Sequence, residues 1–546
     1  MKRKLLLSIL ICVLIIFTFT LSSCNDSEDV PEDVPEDHEC EWGTWKTTKE
    51  PTCFEEGLMV TECIHCGEVL ESKSVDKLKH QNDKWETTKE PTCSAEGEKV
   101  LKCSLCGTKH SSEPIPTTDH SFVEGNCSAC GITDPKLFIF VDLNNGTYMI
   151  SAKDPEKIPA VIHIPSEYNG KPVVGINMYG FKNCTALGEI TIPDSVVIIC
   201  DGAFKGTALY TNKENWENGV LYIGDILIEA VAVLSGEYTI KAGTTVMASG
   251  AFSGCEGLTK INIPESIISI PPSAFSGCIN LTDVNLPPIL FNIGSGAFAN
   301  CSSLQEISLP STVLDIGQGA FRNCTSLGSI TIPQYLEVIS YRTFMGCTSL
   351  TSITLPDSVS LIGESAFEDC INLKYVDTGD GLYTIGENAF KGCTSLEKII
   401  LSPIFANICS GSFKNCTSLT EIDLPDSVDY SIRHTAFEGC EKLKTIKISD
   451  KVIIIEASAF SFCRGLESVV IGSNVRTINS GAFFGCDSLK NVFYKGTANK
   501  WDGVQISDIG NDKLSEVQMY FYSEEAPEEE GFFWHYGENG EILIWE

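Results

Sequence analysis

The residues best suited to chemistry are cysteines and histidines between 38 and 131, where a forty-residue unit is written twice. The stretch from Trp45 to Cys53 returns from Trp85 to Cys93. Cys53, Cys63 and Cys66 recur in register as Cys93, Cys103 and Cys106, each set ending in Cys-x-x-Cys-Gly, and His80 and His120 follow the last cysteine of their copies by fourteen residues. A shortened third copy ends in Cys127-Ser-Ala-Cys130-Gly131. Two cysteines two residues apart and followed by glycine make a tight turn that aims both thiolates at one ion, and a further cysteine and a histidine complete a tetrahedral zinc set. The expected ligands are Cys53, Cys63, Cys66, His80, Cys93, Cys103, Cys106 and His120, with disulfides as the alternative for a small exported module of low apolar content. His38 and Cys40 leave two registers open, because each histidine could serve the cysteines after it rather than those before it. In either register zinc would be structural, since four protein ligands leave no open position for a substrate.

The N-terminus sets the compartment. Lys2, Arg3 and Lys4 precede an apolar run over 5–19, which reads as an export leader over 1–23. It ends in Leu21-Ser22-Ser23-Cys24, a sequence that resembles the lipobox of bacterial lipoproteins and makes Cys24 the expected lipidation site, with the membrane reached only through that anchor. Residues 24–37 hold seven acids, no base and two prolines, a solvated tether. A net charge of −34 excludes nucleic acid as a partner, since no basic stripe neutralises phosphates.

The elements that must carry all this are repeats. A phrase of the form Ala-Phe-x-x-Cys-x-x-Leu-x-x-Ile-x-Ile-Pro-x-x-Val-x-x-Ile returns with its phenylalanine at 181, 204, 252, 275, 298, 321, 344, 367, 390, 413, 437, 460 and 483, mostly twenty-three residues apart. So short a period means a solenoid. The expected fold is mainly β, a solenoid of thirteen to fourteen coils over 177–495 with a degenerate insertion at 205–250. Hairpin caps at 132–176 and a C-terminal cap with an acidic tail at 496–546 would close it, and Trp501, Phe532, Phe533, Trp534 and Trp545 would cover the last coil. In each coil the two strand isoleucines face inward and the residue between them outward. A lone cysteine stands three residues after the phenylalanine in twelve of the thirteen repeats, with Thr207 the exception. Stacked cysteines have parallel Cβ vectors, a poor arrangement for disulfides, so the thiol is expected to pack inward as a small apolar group that donates weakly to a backbone carbonyl.

This phrase resembles the BspA-like, treponemal-type class of bacterial leucine-rich repeats, over about residues 137–546. The resemblance implies a curved solenoid and an adhesin-like protein at the cell surface or envelope, with a host matrix or surface protein or glycan, or other microbes, as partner. The asparagine ladder usual in leucine-rich repeats is broken here, with Ser195, Ser266, Thr312, Ser358, Ser427 and Asn474 at the aligned positions. No nucleophile elbow, phosphate loop or HExxH motif is present, and no enzyme is expected. The outward residues, among them Asn285, Ser308, Thr331, Thr354, Tyr375, Asp377 and Ile400, form the expected ligand face. The alternative is a structural or metal-holding envelope protein in which the solenoid is a spacer.

Overall fold

The computed structural model describes residues 40–545 apart from 429 and 529. The leader, Cys24, the whole acidic tether and His38 lie outside the described residues. The chain divides into two compact units, one ending at His120 and the other beginning at Ser121.

In the first unit the duplicated sequence gives two three-stranded antiparallel meanders. β1 (Lys46–Lys49), β2 (Gly57–Glu62) and β3 (Val69–Val75) form one, and β4 (Asn82–Lys89), β5 (Gly97–Cys103) and β6 (Lys109–Ile115) the other. Their apolar cores are thin: Val60 and Cys63 are buried in the first, Val100 and Cys103 in the second. Both module tryptophans are used at the surface instead, with Lys73 Nζ 4.1 Å from the Trp45 ring and Lys99 Nζ 4.6 Å from that of Trp85. Sheets with so little buried apolar area need a cross-link to hold.

The second unit is a mainly β solenoid of about 16 turns spaced by about 23 residues. Its outward-facing strands pair in parallel at one-repeat register, as in Ser352–Thr354, Tyr375–Asp377 and Lys398–Ile400. A second parallel ladder runs through Val338–Ile339, Leu361–Ile362, Thr384–Ile385 and Asn407–Ile408. The third wall has no strands, yet its turns are hydrogen-bonded from coil to coil: the Phe275 N–H donates to Ala297 O, and Phe298 N–H to Ala320 O, each at 2.8 Å. Turns run beyond the expected thirteen to fourteen because segments read as hairpins also join the ladders. Phe138–Asp142 and Tyr148–Ala152 do form an antiparallel hairpin, but Val161–His163 already pairs in parallel with Glu189–Thr191. Within 205–250, Ile226–Ala230 turns back antiparallel on Val220–Ile223 and then pairs in parallel with Val246–Met247.

The interior is a set of columns. From Phe252 to Phe483 successive rings stack at 5.2–5.7 Å, no more than 15° from parallel. The repeat cysteines beside them are fully buried, and from Cys278 to Cys486 each thiol donates to the phenylalanine carbonyl of the preceding coil, as Cys278 to Phe252 O at 3.1 Å, Cys347 to Phe321 O at 3.2 Å and Cys486 to Phe460 O at 3.2 Å, while Cys255 donates to Val231 O at 3.5 Å. That carbonyl is thereby satisfied without a disulfide. Thr207, the exception, donates to its own coil's Phe204 O at 2.9 Å. The broken asparagine ladder is replaced by hydroxyls of the same reach, since Ser266, Thr312, Ser358 and Ser427 donate to Thr244, Leu290, Leu336 and Phe405 carbonyls one coil back, at 2.6–2.7 Å.

Two positions per coil are left-handed. Two residues before each phenylalanine from Phe275 to Phe483, φ lies between +54° and +65°, and two residues after it between +58° and +77°. Glycine, asparagine and serine dominate both columns because a Cβ is disfavoured there. In the second column glycine alternates with asparagine or aspartate for a further reason: a Cβ at Gly346 would collide with the Asn323 side chain, and one at Gly392 with Asp369.

The last coil is finished by a side chain. Phe483 N–H has no alanine carbonyl ahead of it and donates instead to Asn511 Oδ1 at 3.1 Å, while Asn511 Nδ2 donates to Asn479 and Ser507 carbonyls at 2.9 and 3.0 Å. The tail then adds Gln518–Tyr522 and Phe533–Tyr536 to the end of the strand ladder and folds back over the outward strand face. Trp534 is buried against Val470 and Phe493 and donates from Nε1 to Tyr494 O at 3.2 Å. Of the other aromatic residues expected in the cap, Trp501 packs edge-on against Tyr494 and Trp545 stacks on His535, but Phe532 stays exposed. Val470, one of the outward residues, is therefore covered by the chain's own tail.

Candidate functional site

Each Cys-x-x-Cys-Gly forms the same knuckle. In the second module Gly107 N–H donates to Cys103 O at 2.8 Å and Cys103 N–H to Thr108 O at 3.0 Å, with Gly107 at φ +75°, and Cys63 to Glu68 repeats the pattern with Gly67 at +77°. Of the two registers the sequence leaves open, the structure takes the one in which each histidine serves the cysteines after it. Cys53 from the β1–β2 loop, His80 from the segment joining β3 to β4, and Cys103 and Cys106 from the β5–β6 turn place their ligand atoms within 4.8 Å of one another. Cys63 and Cys66 instead gather with Cys40, which stands forty residues before His80 and so fills its place in the first copy. Cys93 lies in the β4–β5 loop and His120 ends the second module; neither joins the His80 cluster. The equivalence of Cys40 and His80 is the signal in the sequence that chooses the register, since both stand five residues before the module tryptophan.

The four-residue cluster has the dimensions of a tetrahedral centre. Cys53 and Cys103 Sγ are 3.8 Å apart, and Cys106 Sγ is 3.4 Å from His80 Nδ1. A zinc ion with bonds of about 2.3 Å to sulfur sets sulfur–sulfur edges of about 3.8 Å. Burial pushes the Cys53 thiol up to about 11, with Cys106 and Cys103 adding to it. Cys103 goes the other way: burial raises it, but hydrogen bonds from His80 and from the backbone of Gln81, Leu105 and Cys106 outweigh that and hold it near 5. One thiolate is thus stabilised before any cation arrives. In the three-thiol group hydrogen bonding with Cys63 is the main reason that Cys40 is raised to about 11.

On the solenoid, the outward residues stand where the alternation puts them. Asn285, Ser308, Thr331, Thr354 and Ile400 are exposed and Tyr375 and Asp377 half-buried, with Thr354, Asp377 and Ile400 in register along one ladder and Tyr375 opposite Ser352. Asn285 Nδ2 donates to Asn262 Oδ1, so its amide is partly engaged within the face. The face stays open through Ile400, and the tail begins to cover it further on, where Lys447 Nζ lies 5.6 Å from the Tyr536 ring.

Among the described residues no helix is long and apolar enough to cross a membrane. The sequence matches the BspA type leucine rich repeat region, in six copies, over residues 164–229, 236–350, 315–430 and 406–503. Among solved structures, a leucine-rich repeat protein from Bacteroides ovatus is 25% identical, aligned over 72% of this chain and 99% of its own, at a TM-score of 0.34. A leucine rich cell surface protein from Faecalibacterium prausnitzii is 23% identical over 68% of this chain and 97% of its own, at 0.32. The pneumococcal vaccine antigen PcpA is 20% identical over 71% and 92%, also at 0.32. No curated protein matches the sequence. Leucine-rich repeat proteins are usually binding scaffolds rather than enzymes, and those of the BspA type are typically found at the cell surface. With matched repeats spanning more than half of its length and a solenoid of the expected period, the chain belongs to the BspA-type leucine-rich repeat family.

Proposed function

We propose that this is a non-enzymatic, adhesin-like surface protein, held at the bacterial envelope through a lipid on Cys24, whose strand face from Asn285 to Ile400 binds a protein or glycan of a host or of another microbe. The observation that carries the reading is the open row itself. Asn285, Ser308, Thr331 and Thr354 repeat one polar group per coil spacing, and Tyr375 and Ile400 add apolar area beside them. A flat, periodic array of hydroxyls and amides with an apolar end suits an extended macromolecule better than a small substrate. Thr331→Arg with Thr354→Arg places two bulky cations on the face without touching the core. Binding of the full chain to immobilised matrix proteins and to partner cells is expected to fall at least tenfold in that variant, while Glu337→Arg, on the second ladder's side of the coil, leaves it unchanged. Wild-type protein that binds nothing above background would overturn the reading.

The cysteine-rich unit is read as a holder of structural zinc. Cys53, His80, Cys103 and Cys106 would hold one ion, and Cys40, Cys63 and Cys66 supply three ligands of a second, with His38 outside the described residues. Zinc bound there supplies no catalysis; it clamps two modules whose own cores are thin. Native and reducing mass spectrometry tests this, with zinc mass and no disulfide shift expected.

A further inference from the structure

Arg322 and Arg342 stand on neighbouring coils of a chain whose net charge is −34. Arg322 and Arg342 line one open cleft of about 290 Å³ with Ser273, Ser295, Gln318 and Tyr341. The Nε atoms of both are buried and make no hydrogen bond. Neither guanidinium enters an ion pair among the described residues, whereas three of the four lysines in the Arg322 column do, the fourth, Lys182, lying over the Tyr179 ring. Lys205, Lys391 and Lys414, each the residue after a repeat phenylalanine, meet Glu229, Glu368 and Glu438 at 3.8, 2.7 and 2.8 Å. Arg322 has Ala299 and Met345 as its column neighbours, and neither carries a charge to pair with it. Of the nearby carboxylates, Glu368 is bonded to Lys391 and feels Arg342 only through its charge, and Glu364 is exposed and in no ion pair.

Arg342 is also in an unfavourable place. It sits at φ +55° in the first left-handed column, where the neighbouring coils have Gly296, Gly319 and Ser365. Most siblings fill this conformation with glycine, serine or asparagine, Tyr179 being the other long side chain, so an arginine held there is disfavoured by the backbone and points to a selected role. Its guanidinium lies 4.6 Å from the Tyr341 ring centroid, so the fork is fixed against an aromatic face rather than free in solvent. Gly296, Gly319 and Ala299 keep the rest of the cleft open.

We propose that this cleft binds an oxyanion, a sulfate ester or a carboxylate, carried on a sugar unit. Two guanidiniums match the planar, forked acceptor geometry of such groups. The serine hydroxyls, the Gln318 amide and the Tyr341 phenol are the partners that sugar hydroxyls need, and the acidic surroundings turn away polyanions as dense as nucleic acid. The cleft belongs to the turn wall of the coils, so the inference is independent of the strand-face reading.

Calorimetric titration of the full-length chain with a sulfated disaccharide, a uronate disaccharide, a neutral disaccharide and inorganic sulfate tests it. Arg322→Ala and Arg342→Ser install residues that sibling coils already carry at those positions, Ala299 and Ser365, so the coils should still stack, with melting followed as a control. At least one charged disaccharide is expected to bind and the neutral one not to; which of the two binds identifies the oxyanion. Affinity should fall at least tenfold in each variant, and inorganic sulfate should compete. Should either variant melt early, the salt dependence of wild-type binding decides, with weakening expected between about 20 and 200 mM NaCl. Absence of binding by wild-type protein, equal binding of the neutral sugar, unchanged affinity in both folded variants, or indifference to salt would each overturn the proposal. Loss of macromolecular binding in the Thr331→Arg, Thr354→Arg protein with these titrations intact would separate the two sites.

Discussion

Cysteine is used in two opposite ways in the two units of this chain. In the first unit, thiols from separate loops converge within 4.8 Å of one another, and Cys103 is held near 5 by donors aimed at its sulfur. In the solenoid, thiols at least as buried as that of Cys103 are spread one per coil, those from Cys255 to Cys486 donating to carbonyls, and burial pushes Cys324 and Cys370 up to about 12. Burial is therefore not what distinguishes a ligand from a packing residue. The difference lies in whether the surrounding groups donate to the sulfur or accept from it.

Stripping metal from the protein should break the comparison most visibly. With a strong chelator, cleavage by trypsin within 40–120 is expected to speed up by ~10² or more, because metal binding and folding of such modules are one process, while 121–545 keeps its protection. Equal protection of both units after chelation would show that the first unit does not depend on metal. Next in size, Phe344→Ala should destabilise the solenoid by about 3–5 kcal/mol, as the removal of a buried ring from a close-packed stack does. Cys347→Ala should cost about 1–2 kcal/mol, the loss of a small apolar group and of a bond that leaves Phe321 O unsatisfied. Denaturant melts read both. Third, thiol labelling at pH 8 sharpens the contrast without mutation: a thiol at about 12 is ionised in roughly one molecule in ten thousand, so the repeat cysteines should stay unlabelled until the coils open, while Cys103, held near 5, reacts as soon as metal is stripped.

Acid should separate the units by smaller steps. Protons compete with zinc for the first unit's ligands, so it should loosen before the solenoid does. In the solenoid, burial works to raise Glu368, but the Lys391 ammonium at 2.7 Å outweighs it and holds the carboxyl below its ordinary value. A carboxylate lowered on folding contributes stability that is present above its unfolded value and lost as pH falls through its folded one. Glu368→Gln should therefore flatten the solenoid's melting temperature below about pH 4.5 by an amount worth at most ~1 kcal/mol, the pair being partly open to solvent.

The period, the inward phenylalanine and leucine, and the buried cysteine were legible because each repeats at a fixed spacing, and one copy corrects the noise of the next. What one copy cannot show was harder to see. The left-handed columns are written in the sequence as Gly296, Gly319, Asn300 and Asn323, but they look like ordinary loop residues until the backbone angles align them. The metal register depended on treating Cys40 as the counterpart of His80, a match of position across two residue types. The cleft between Arg322 and Arg342 has no periodic signature at all, since it is a departure from the repeat. The path of the tail over Val470 was illegible for another reason: an alternating strand reads the same whether its outer face meets solvent or a tryptophan.

Asn511 has a consequence for the protein in bulk. A stack whose final turn offered bare N–H groups would accept another copy of itself, end to end, and a crowded surface would favour such growth. By answering the Phe483 N–H with a side-chain oxygen, Asn511 removes one donor that a turn of another copy could take, which works against end-to-end growth.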